Sequence, residues 1–194
     1  TYRTRRQALL PQLPLRDGRT MRIVGAKLAG RHLTSPGKAV RPTPEVIRDK
    51  VITLLKDELA GARMLDLFAG SGAVGLEGLS RGARYVDFVE NGAPALHALK
   101  ANVAALKASK KCRIFKQDVI PYVERLSADA YDVAFADPPY GSGKLDRVIA
   151  RWLEVPFASY LALEHAKDHV GVPKGKRYDF DGPTRITILK AKQR

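Results

Sequence analysis

MLDLFAGSGAVG, residues 64–75, joins a short apolar run to three glycines. Gly70, Gly72 and Gly75 have the spacing G-x-G-x-x-G, which is informative where a strand leads directly into a helix. Without a Cβ atom, Gly70 and Gly72 let a ligand lie against the backbone near the N-terminus of that helix. We therefore predict a strand, a glycine loop and a helix that together bind a nucleotide-like cofactor.

Apolar runs of strand length alternate with helical patterns around this stretch. The runs lie at 63–68, 84–89, 113–115, 131–136 and 159–163, and the helical patterns at about 73–81, 93–108, 119–127 and 144–153. Such alternation builds right-handed strand–helix–strand crossovers. We predict an α/β fold with a doubly wound, mostly parallel sheet, and an antiparallel closing hairpin at 177–190.

The N-terminal part of the chain does not follow this alternation. Residues 1–20 contain five arginines and two prolines without a clear period, and we predict a disordered extension there. Residues 21–42 form a small basic appendage in which Gly25 and Gly30 suit turns, and we predict a hairpin.

The main domain is expected at 43–194 and opens with a helix signal. Thr43-Pro44-Glu45 offers a hydroxyl N-cap, a proline at the first helical position and a carboxylate in the first turn. Apolar residues recur at helical spacing up to Leu59, and Gly61 ends the pattern.

The net charge of +14 is distributed unevenly along the chain. Residues 1–60 carry +8, residues 61–164 only +1, and residues 165–194 carry +5. A near-neutral body with cationic ends is typical of a protein that binds a polyanion through those ends. Basic but functionless tails are the alternative, and an acidic membrane surface is disfavoured because no basic amphipathic helix accompanies the charge.

Cysteine and hydropathy patterns exclude several classes of protein. Cys112 is the single cysteine, which excludes an internal disulfide framework, and no Cys/His cluster has zinc spacing, so we predict no metal. Apolar runs stay well below the roughly 18 residues of a membrane helix, and no signal peptide is evident. We expect a cytoplasmic protein without a membrane partner.

Four carboxylates and one aromatic residue accompany the glycine loop as candidate cofactor ligands, namely Asp66, Glu90, Asp118, Asp137 and Phe68. Glu90 stands twenty residues after Gly70, at a strand end, where a carboxylate can accept both ribose hydroxyls. Asp66 suits the ammonium of S-adenosylmethionine better than the pyrophosphate of NAD, although it can instead cap the loop's own N–H groups. Asp118 can accept from adenine or serve as a helix N-cap, and Phe68 ends the strand that leads into the loop.

Asp137-Pro138-Pro139-Tyr140 follows the fourth apolar run and should face the same crevice as the glycine loop. The prolines fix the backbone and lack N–H groups, so that a carboxylate and the Pro138 carbonyl can both accept from an amine. Tyr140 offers a flat face on which a base can stack. A rigid turn at a strand end is the structural alternative.

Together LDLFAGSGAVGLE, FVE and DPPY resemble class I S-adenosylmethionine methyltransferases that act on amino nitrogens. The segments MRIVGAKLAGRHL and VRPTPEVIRDKV are similar to the opening of the bacterial 16S rRNA guanine-N2 methyltransferases, the RsmD family. The resemblance runs from Met21 to about Glu164, whereas residues 1–20 do not match and the tail matches loosely.

The resemblance implies transfer of a methyl group from S-adenosylmethionine to guanine N2 in 16S rRNA, by a monomer that acts on rRNA or on a small-subunit assembly particle. The catalytic residues would be Asp137, Pro138 and Tyr140. The candidate RNA-binding residues are Arg22, Lys27, Arg31, Arg41 and Arg48. Thr43 as a cap and Arg48 as a solvated helix residue are the alternatives at those two positions.

Three other functions share parts of this pattern. DNA adenine or cytosine amino-methyltransferases share the glycine loop and the DPPY tetrad, but they usually carry a sizeable target-recognition domain, for which 194 residues leave little space. An NAD-dependent dehydrogenase shares the glycine loop, and an RNA-binding module without catalysis shares the charge distribution.

Overall fold

The computed structural model describes residues 21–37 and 43–192. In these ranges nine strands form: β1 (Met21–Arg22), β2 (His32–Leu33), β3 (Arg63–Leu67), β4 (Tyr85–Glu90), β5 (Cys112–Lys116), β6 (Tyr131–Ala136), β7 (Ala158–Ala166), β8 (Lys176–Asp179) and β9 (Thr184–Lys190). The helices of the same ranges are α1 (Glu45–Leu54), α2 (Lys56–Leu59), α3 (Ala73–Ser80), α4 (Ala93–Ala105), α5 (Val119–Glu124) and α6 (Lys144–Glu154).

Seven of these strands form one sheet in the order β5-β4-β3-β6-β7-β9-β8. Strands β3 to β7 pair in parallel, and β9 lies antiparallel between β7 and β8. The chain leaves β3 first to one side, through β4 and β5, and then returns to the other side through β6. The predicted α/β fold, with its mostly parallel sheet and antiparallel closing hairpin, is confirmed.

Core residues lie on both faces of the sheet because successive side chains of a strand alternate. One face, with Met64, Phe88 and Phe135, packs against α1, α3 and α4. The opposite face, with Leu65 and Leu67, packs against α5 and α6. Burial on both faces is the physical basis of the apolar strand patterns in the sequence.

Helix α1 begins one step later than the sequence predicts. Its N-cap position is Pro44, no side chain caps the helix, and Glu45 is the first helical residue. Thr43 is therefore not the N-cap, and its hydroxyl is directed to the edge of the sheet instead, 3.4 Å from Asp137 Oδ2.

Residues 21–33 form a small antiparallel hairpin in which Met21 pairs with Leu33. Its backbone is fixed to α3, because Glu77 accepts from the N–H groups of Val24 and Gly25, each at 2.8 Å. Met21, Ile23 and Leu33 are buried in the core. The hairpin is thus packed on the body of the protein. Within the described ranges, no helix has the length and apolar character needed to cross a membrane.

Candidate active site

A cavity of about 550 Å³ opens at the carboxyl ends of β3, β4, β6 and β7. Ligands of open α/β sheets bind at this edge, and the volume lies in the usual range for small-molecule sites. Residues at or just beyond the strand ends form the wall, and they include Phe68, Gly70, Glu90, Asp137, Tyr140 and Glu164.

The glycine loop contributes Gly70, Ser71, Ala73 and Val74 to this wall. Gly70 and Phe68 line the cavity with φ angles of +56° and +59°, so Phe68 holds a conformation that costs a non-glycine residue about 1 kcal/mol or more. A Cβ atom on Gly75 would lie 2.8 Å from Val86 Cγ1 and closer still to Phe88, and one on Gly72 would clash with Leu99. The missing Cβ atoms of Gly72 and Gly75 thus serve the packing of α3, and contact of these two glycines with the cofactor stays a prediction.

Asp66 lies beneath the loop and does not line the cavity. Asp66 is only 1% exposed, and its Oδ2 accepts a hydrogen bond from the Gly75 N–H at 2.9 Å. Burial raises its pKa well above the usual range, and the charges of Asp137 and Glu90 act in the same direction. The structure thus shows the capping role of Asp66, and a direct contact with the cofactor stays a prediction.

Glu90 faces the cavity and also fixes two backbone segments. Its Oε2 accepts from Gly70 N at 2.8 Å, while Oε1 accepts from Asn91 N at 2.8 Å and from Gly92 N at 2.7 Å. A carboxylate has about four acceptor positions, so one remains for a ligand hydroxyl. Glu90 therefore joins the glycine loop to the start of α4 at the cofactor side of the cavity.

Asp118 is the N-cap of α5, where it accepts from Ile120 N at 2.9 Å. Its other oxygen accepts from Lys144 Nζ at 2.7 Å, and this hydrogen bond lowers the pKa of Asp118. Lys144 itself lines the cavity, with Nζ 5.9 Å from the centroid of the Phe68 ring. The alternative that Asp118 caps a helix is what the structure shows, and a contact with adenine stays a prediction.

The DPPY tetrad faces the same cavity as the glycine loop. Asp137, Pro138 and Tyr140 all line it, and Pro138 is buried whereas Tyr140 is 49% exposed. Tyr140 Oη lies 3.4 Å from Thr184 Oγ1. A half-exposed ring beside a carboxylate is suited to stack on a flat ligand that enters from solvent.

The candidate RNA-binding residues have different environments. Arg22, Lys27 and Arg31 are exposed on the hairpin, and Arg41 lies outside the described residues. Arg48 is completely buried: its guanidinium donates to the Arg22 carbonyl and lies 3.7 Å from Glu77 Oε2. Burial lowers its pKa. Arg48 is therefore neither an RNA contact nor a solvated helix residue, and it fixes the hairpin to the body.

Several polar residues of the wall were not assigned from the sequence, among them Glu164, Thr184 and Lys144. Glu164 and Thr184 lie in β7 and β9, both buried, and Lys144 begins α6. A signal existed for Glu164, since it ends an otherwise apolar run just as Glu90 and Asp137 end theirs. Thr184 precedes an alternating strand and resembles an ordinary strand residue.

The chain is similar to known proteins in sequence and in structure. Residues 21–170 match the family model of conserved hypothetical protein 95. The chain belongs to this family. The match begins at Met21, where the resemblance to the RsmD family also begins, and that resemblance is confirmed.

Two curated members of the family illustrate the similarity. The ribosomal RNA small subunit methyltransferase D of Escherichia coli K12 is 33% identical over 130 residues, which is 66% of this chain and 65% of that protein. The protein of the same name from Buchnera aphidicola of Acyrthosiphon pisum is 28% identical over 78% of this chain and 82% of its own length. The aligned segment thus spans slightly under two thirds of the Escherichia coli relative.

Solved structures are similar over a larger share of the chain. The hypothetical protein TTHA0928 of Thermus thermophilus is 30% identical with a TM-score of 0.74, and the match covers 88% of this chain and 99% of that one. The Escherichia coli protein yhhF is 25% identical with a TM-score of 0.76, over 88% and 97% of the two chains. The chain thus has the fold of the class I methyltransferases.

Proposed function

We propose that this chain is an S-adenosylmethionine-dependent methyltransferase that methylates N2 of a guanine in small-subunit ribosomal RNA. One observation carries the proposal: the glycine loop, Glu90 and the DPPY tetrad line a single cavity at the carboxyl edge of the sheet. The names of the curated relatives support the RNA substrate, and the N2 position follows from the family resemblance.

The residues on the loop side of the cavity suit the cofactor. Gly70 presents backbone without a side chain at the N-terminal approach to α3, and Glu90 presents a carboxylate suited to ribose hydroxyls. The Phe68 ring adds an apolar surface beside them. S-adenosylmethionine, when bound, supplies a methyl group on a positively charged sulfur, which is compatible with a wall that carries carboxylates.

The residues on the tetrad side suit an aromatic amine. The amine lone pair of guanine is delocalised into the ring, so nitrogen is a weak nucleophile until it is oriented. Asp137 and the Pro138 carbonyl accept the two amine hydrogens, which directs the nitrogen lone pair toward the cofactor side of the cavity. Asp137 also stabilises the positive charge that grows on nitrogen. Tyr140 stacks on the base, and the released proton passes to water.

Exposed cations on the hairpin suit RNA phosphates. Arg22, Lys27 and Arg31 are exposed there, and the net charge of +8 on residues 1–60 has the sign required. An unstacked base of a single-stranded loop is accessible to such a site. A cytoplasmic monomer that acts on rRNA or an assembly particle, and the division into 1–20, 21–42 and 43–194, belong to the same proposal.

Radiolabelled methyl transfer to RNA tests the proposal directly. The protein is incubated with S-adenosylmethionine and with total ribosomal RNA, small-subunit particles or duplex DNA, and the modified nucleotide is mapped by mass spectrometry. We expect N2-methylguanine in small-subunit RNA. Methylation of DNA alone would replace the proposal with a DNA amino-methyltransferase, and calorimetric binding of NAD in place of S-adenosylmethionine would replace it with a dehydrogenase.

A further inference from the structure

Glu164 stands beside Asp137 at the carboxyl edge of the sheet. Strands β6 and β7 pair in parallel, with Phe135 beside Ala162 and Ala136 beside Leu163, so the next pair in this register is Asp137 and Glu164. Both residues line the 550 Å³ cavity, and Glu164 is only 6% exposed.

The two side chains also point to the same face of the sheet. Phe135 and Ala162 pack in the core on the side of α1, and side chains two residues further along a strand return to that side. Neighbouring strands are about 4.8 Å apart, so the side chains of Asp137 and Glu164 start from adjacent backbone positions and line the same cavity. Tyr140 and Thr184 border the same part of the cavity, within 3.4 Å of each other at their hydroxyls.

A pair of adjacent carboxylates matches the edge of only one standard base. Guanine presents its N2 amine directly beside a ring N1–H, which gives a continuous row of hydrogen-bond donors. Adenine and cytosine present an amine beside a ring nitrogen that has a lone pair and no hydrogen. A carboxylate accepts hydrogen bonds and does not donate them when ionised, so it attracts the first edge and repels the second.

We propose that Glu164 accepts the N1–H of the target base and thereby selects guanine over adenine and cytosine. The inference rests on the proposed function, in which Asp137 and the Pro138 carbonyl hold the amine. Glu164 is a specificity residue in this scheme because it contacts the base without contacting the nitrogen that is methylated. Sites that hydrogen-bond a substrate group reject analogues lacking it strongly, since the buried partner is left unsatisfied.

The test uses two RNAs that differ only at the target base, one with guanine and one with 2-aminopurine. 2-Aminopurine retains the amine at C2 but has a lone pair at N1 in place of the N1–H. We expect the wild-type protein to favour guanine in kcat/KM by about 100-fold or more. Glu164→Gln should lower that ratio by about tenfold or more, because its amide can donate to the 2-aminopurine N1 as well as accept from guanine.

Controls separate specificity from folding and from catalysis. Glu154→Gln makes the same change at a glutamate on α6 whose side chain is 72% exposed, and it should leave the ratio unchanged. Asp137→Asn should lower both rates and leave the ratio nearly constant. S-adenosylmethionine affinity and the thermal unfolding midpoint of Glu164→Gln should match those of the wild type.

The outcomes distinguish this inference from the proposed function. Equal transfer to guanine and 2-aminopurine by the wild-type protein overturns the assignment of Glu164 even if Glu164→Gln does not fold. An unchanged ratio in a folded Glu164→Gln overturns it as well. A wild-type protein that methylates guanine in no RNA overturns the proposed function itself.

Discussion

The hydroxyl of Thr43 lies 3.4 Å from Oδ2 of Asp137, although 94 residues separate them in the chain. Thr43 precedes α1, and Asp137 follows β6 in the DPPY tetrad. The segment before α1 thus contributes to the wall around the Asp137 carboxylate. Because a hydroxyl at this distance can orient one carboxylate oxygen, Thr43 is a positioning residue for Asp137 in the proposed reaction.

Replacing Asp137 should abolish most methyl transfer. In Asp137→Ala the amine loses its charged acceptor, and we expect kcat to fall by about 100-fold or more while S-adenosylmethionine affinity changes little. Thr43→Val should cause a smaller loss, about fivefold, since a hydrogen bond as long as 3.4 Å contributes only about 1 kcal/mol. Single-turnover transfer of a labelled methyl group to RNA measures the rates of both variants. Normal turnover by Asp137→Ala would remove the tetrad from the chemistry.

Replacing Glu90 should weaken cofactor binding in two ways. Glu90→Ala removes the carboxylate predicted to bind ribose and also the acceptor for Gly70 N and Gly92 N. We expect a loss of roughly 1.5–3 kcal/mol in S-adenosylmethionine affinity, about ten- to a hundredfold, by calorimetry. Glu124→Ala on α5 is the control, because that side chain is 53% exposed and pairs with Arg147. Unchanged affinity in Glu90→Ala would place the ribose elsewhere.

The sequence predicts the parts of this site that depend on chain order. Strand ends recur at fixed places in a parallel sheet, so the sequence alone places Glu90 and Asp137 correctly in one cavity. The spacing of residues along the sequence does not determine which atom a side chain contacts. The sequence therefore leaves Asp66 and Asp118 open between ligand and backbone, and the structure shows backbone N–H partners for both.

Replacing Asp66 should change how stability depends on pH. Its folded-state pKa is raised, so the folded protein holds a proton that the unfolded chain releases, and stability decreases as pH rises above the ordinary Asp pKa. Asp66→Asn removes this dependence. The free energy of unfolding of Asp66→Asn minus that of the wild type should rise with pH, by at most about 1.4 kcal/mol per unit.

Urea unfolding of both proteins at several pH values between about 4 and 8 measures this difference. We expect S-adenosylmethionine affinity in Asp66→Asn to stay within a few-fold of the wild type, because Asp66 does not line the cavity. A difference that is constant with pH would contradict the buried, proton-holding state of Asp66. A loss of cofactor affinity above about tenfold, or 1.4 kcal/mol, would support the predicted ammonium contact.

The buried ion pair of Arg48 and Glu77 should contribute strongly to stability. Both side chains are fully buried and lie 3.7 Å apart, and Glu77 also accepts from the hairpin backbone. Arg48→Met removes one of two guanidinium partners of Glu77, the other being Arg81 at 3.1 Å from Oε1, and should lower the free energy of unfolding by about 1.5–3 kcal/mol. Arg147→Met is the matched control: its side chain is 62% exposed, and its pair with Glu124 should contribute at most about 1 kcal/mol. Equal losses in the two variants would contradict the buried pair.

Some features of the site could not be predicted from the sequence because they depend on tertiary packing. A charged residue in a helix is usually exposed, so the burial of Arg48 has no local signal. Gly72 fits a motif for ligand approach, yet its missing Cβ accommodates Leu99. Glu164 has a signal at a strand end, but its position beside Asp137 depends on the register of β7 against β6, which neither strand encodes alone.

The exposed cations of the hairpin should set the salt dependence of RNA binding. If Arg22, Lys27 and Arg31 contact phosphates, the triple change to Gln should weaken RNA binding and make the slope of log K against log salt shallower by roughly 0.7 for each phosphate that is no longer neutralised. Cofactor affinity should not respond, because the hairpin residues do not line the cavity. Gln retains the backbone hydrogen bonds of Arg22 to Glu45 and Arg48.

A second triple variant removes the same charge outside the hairpin. Lys107, Lys110 and Lys111 are exposed just before β5, at the end of the sheet remote from the cavity. Changing these three lysines to Gln should leave the salt slope within about 0.3 of the wild type, less than the effect of one phosphate. Equal effects of the two triple variants would show that RNA responds to net charge alone. An RNA affinity independent of salt in the intact protein would exclude binding through cationic ends.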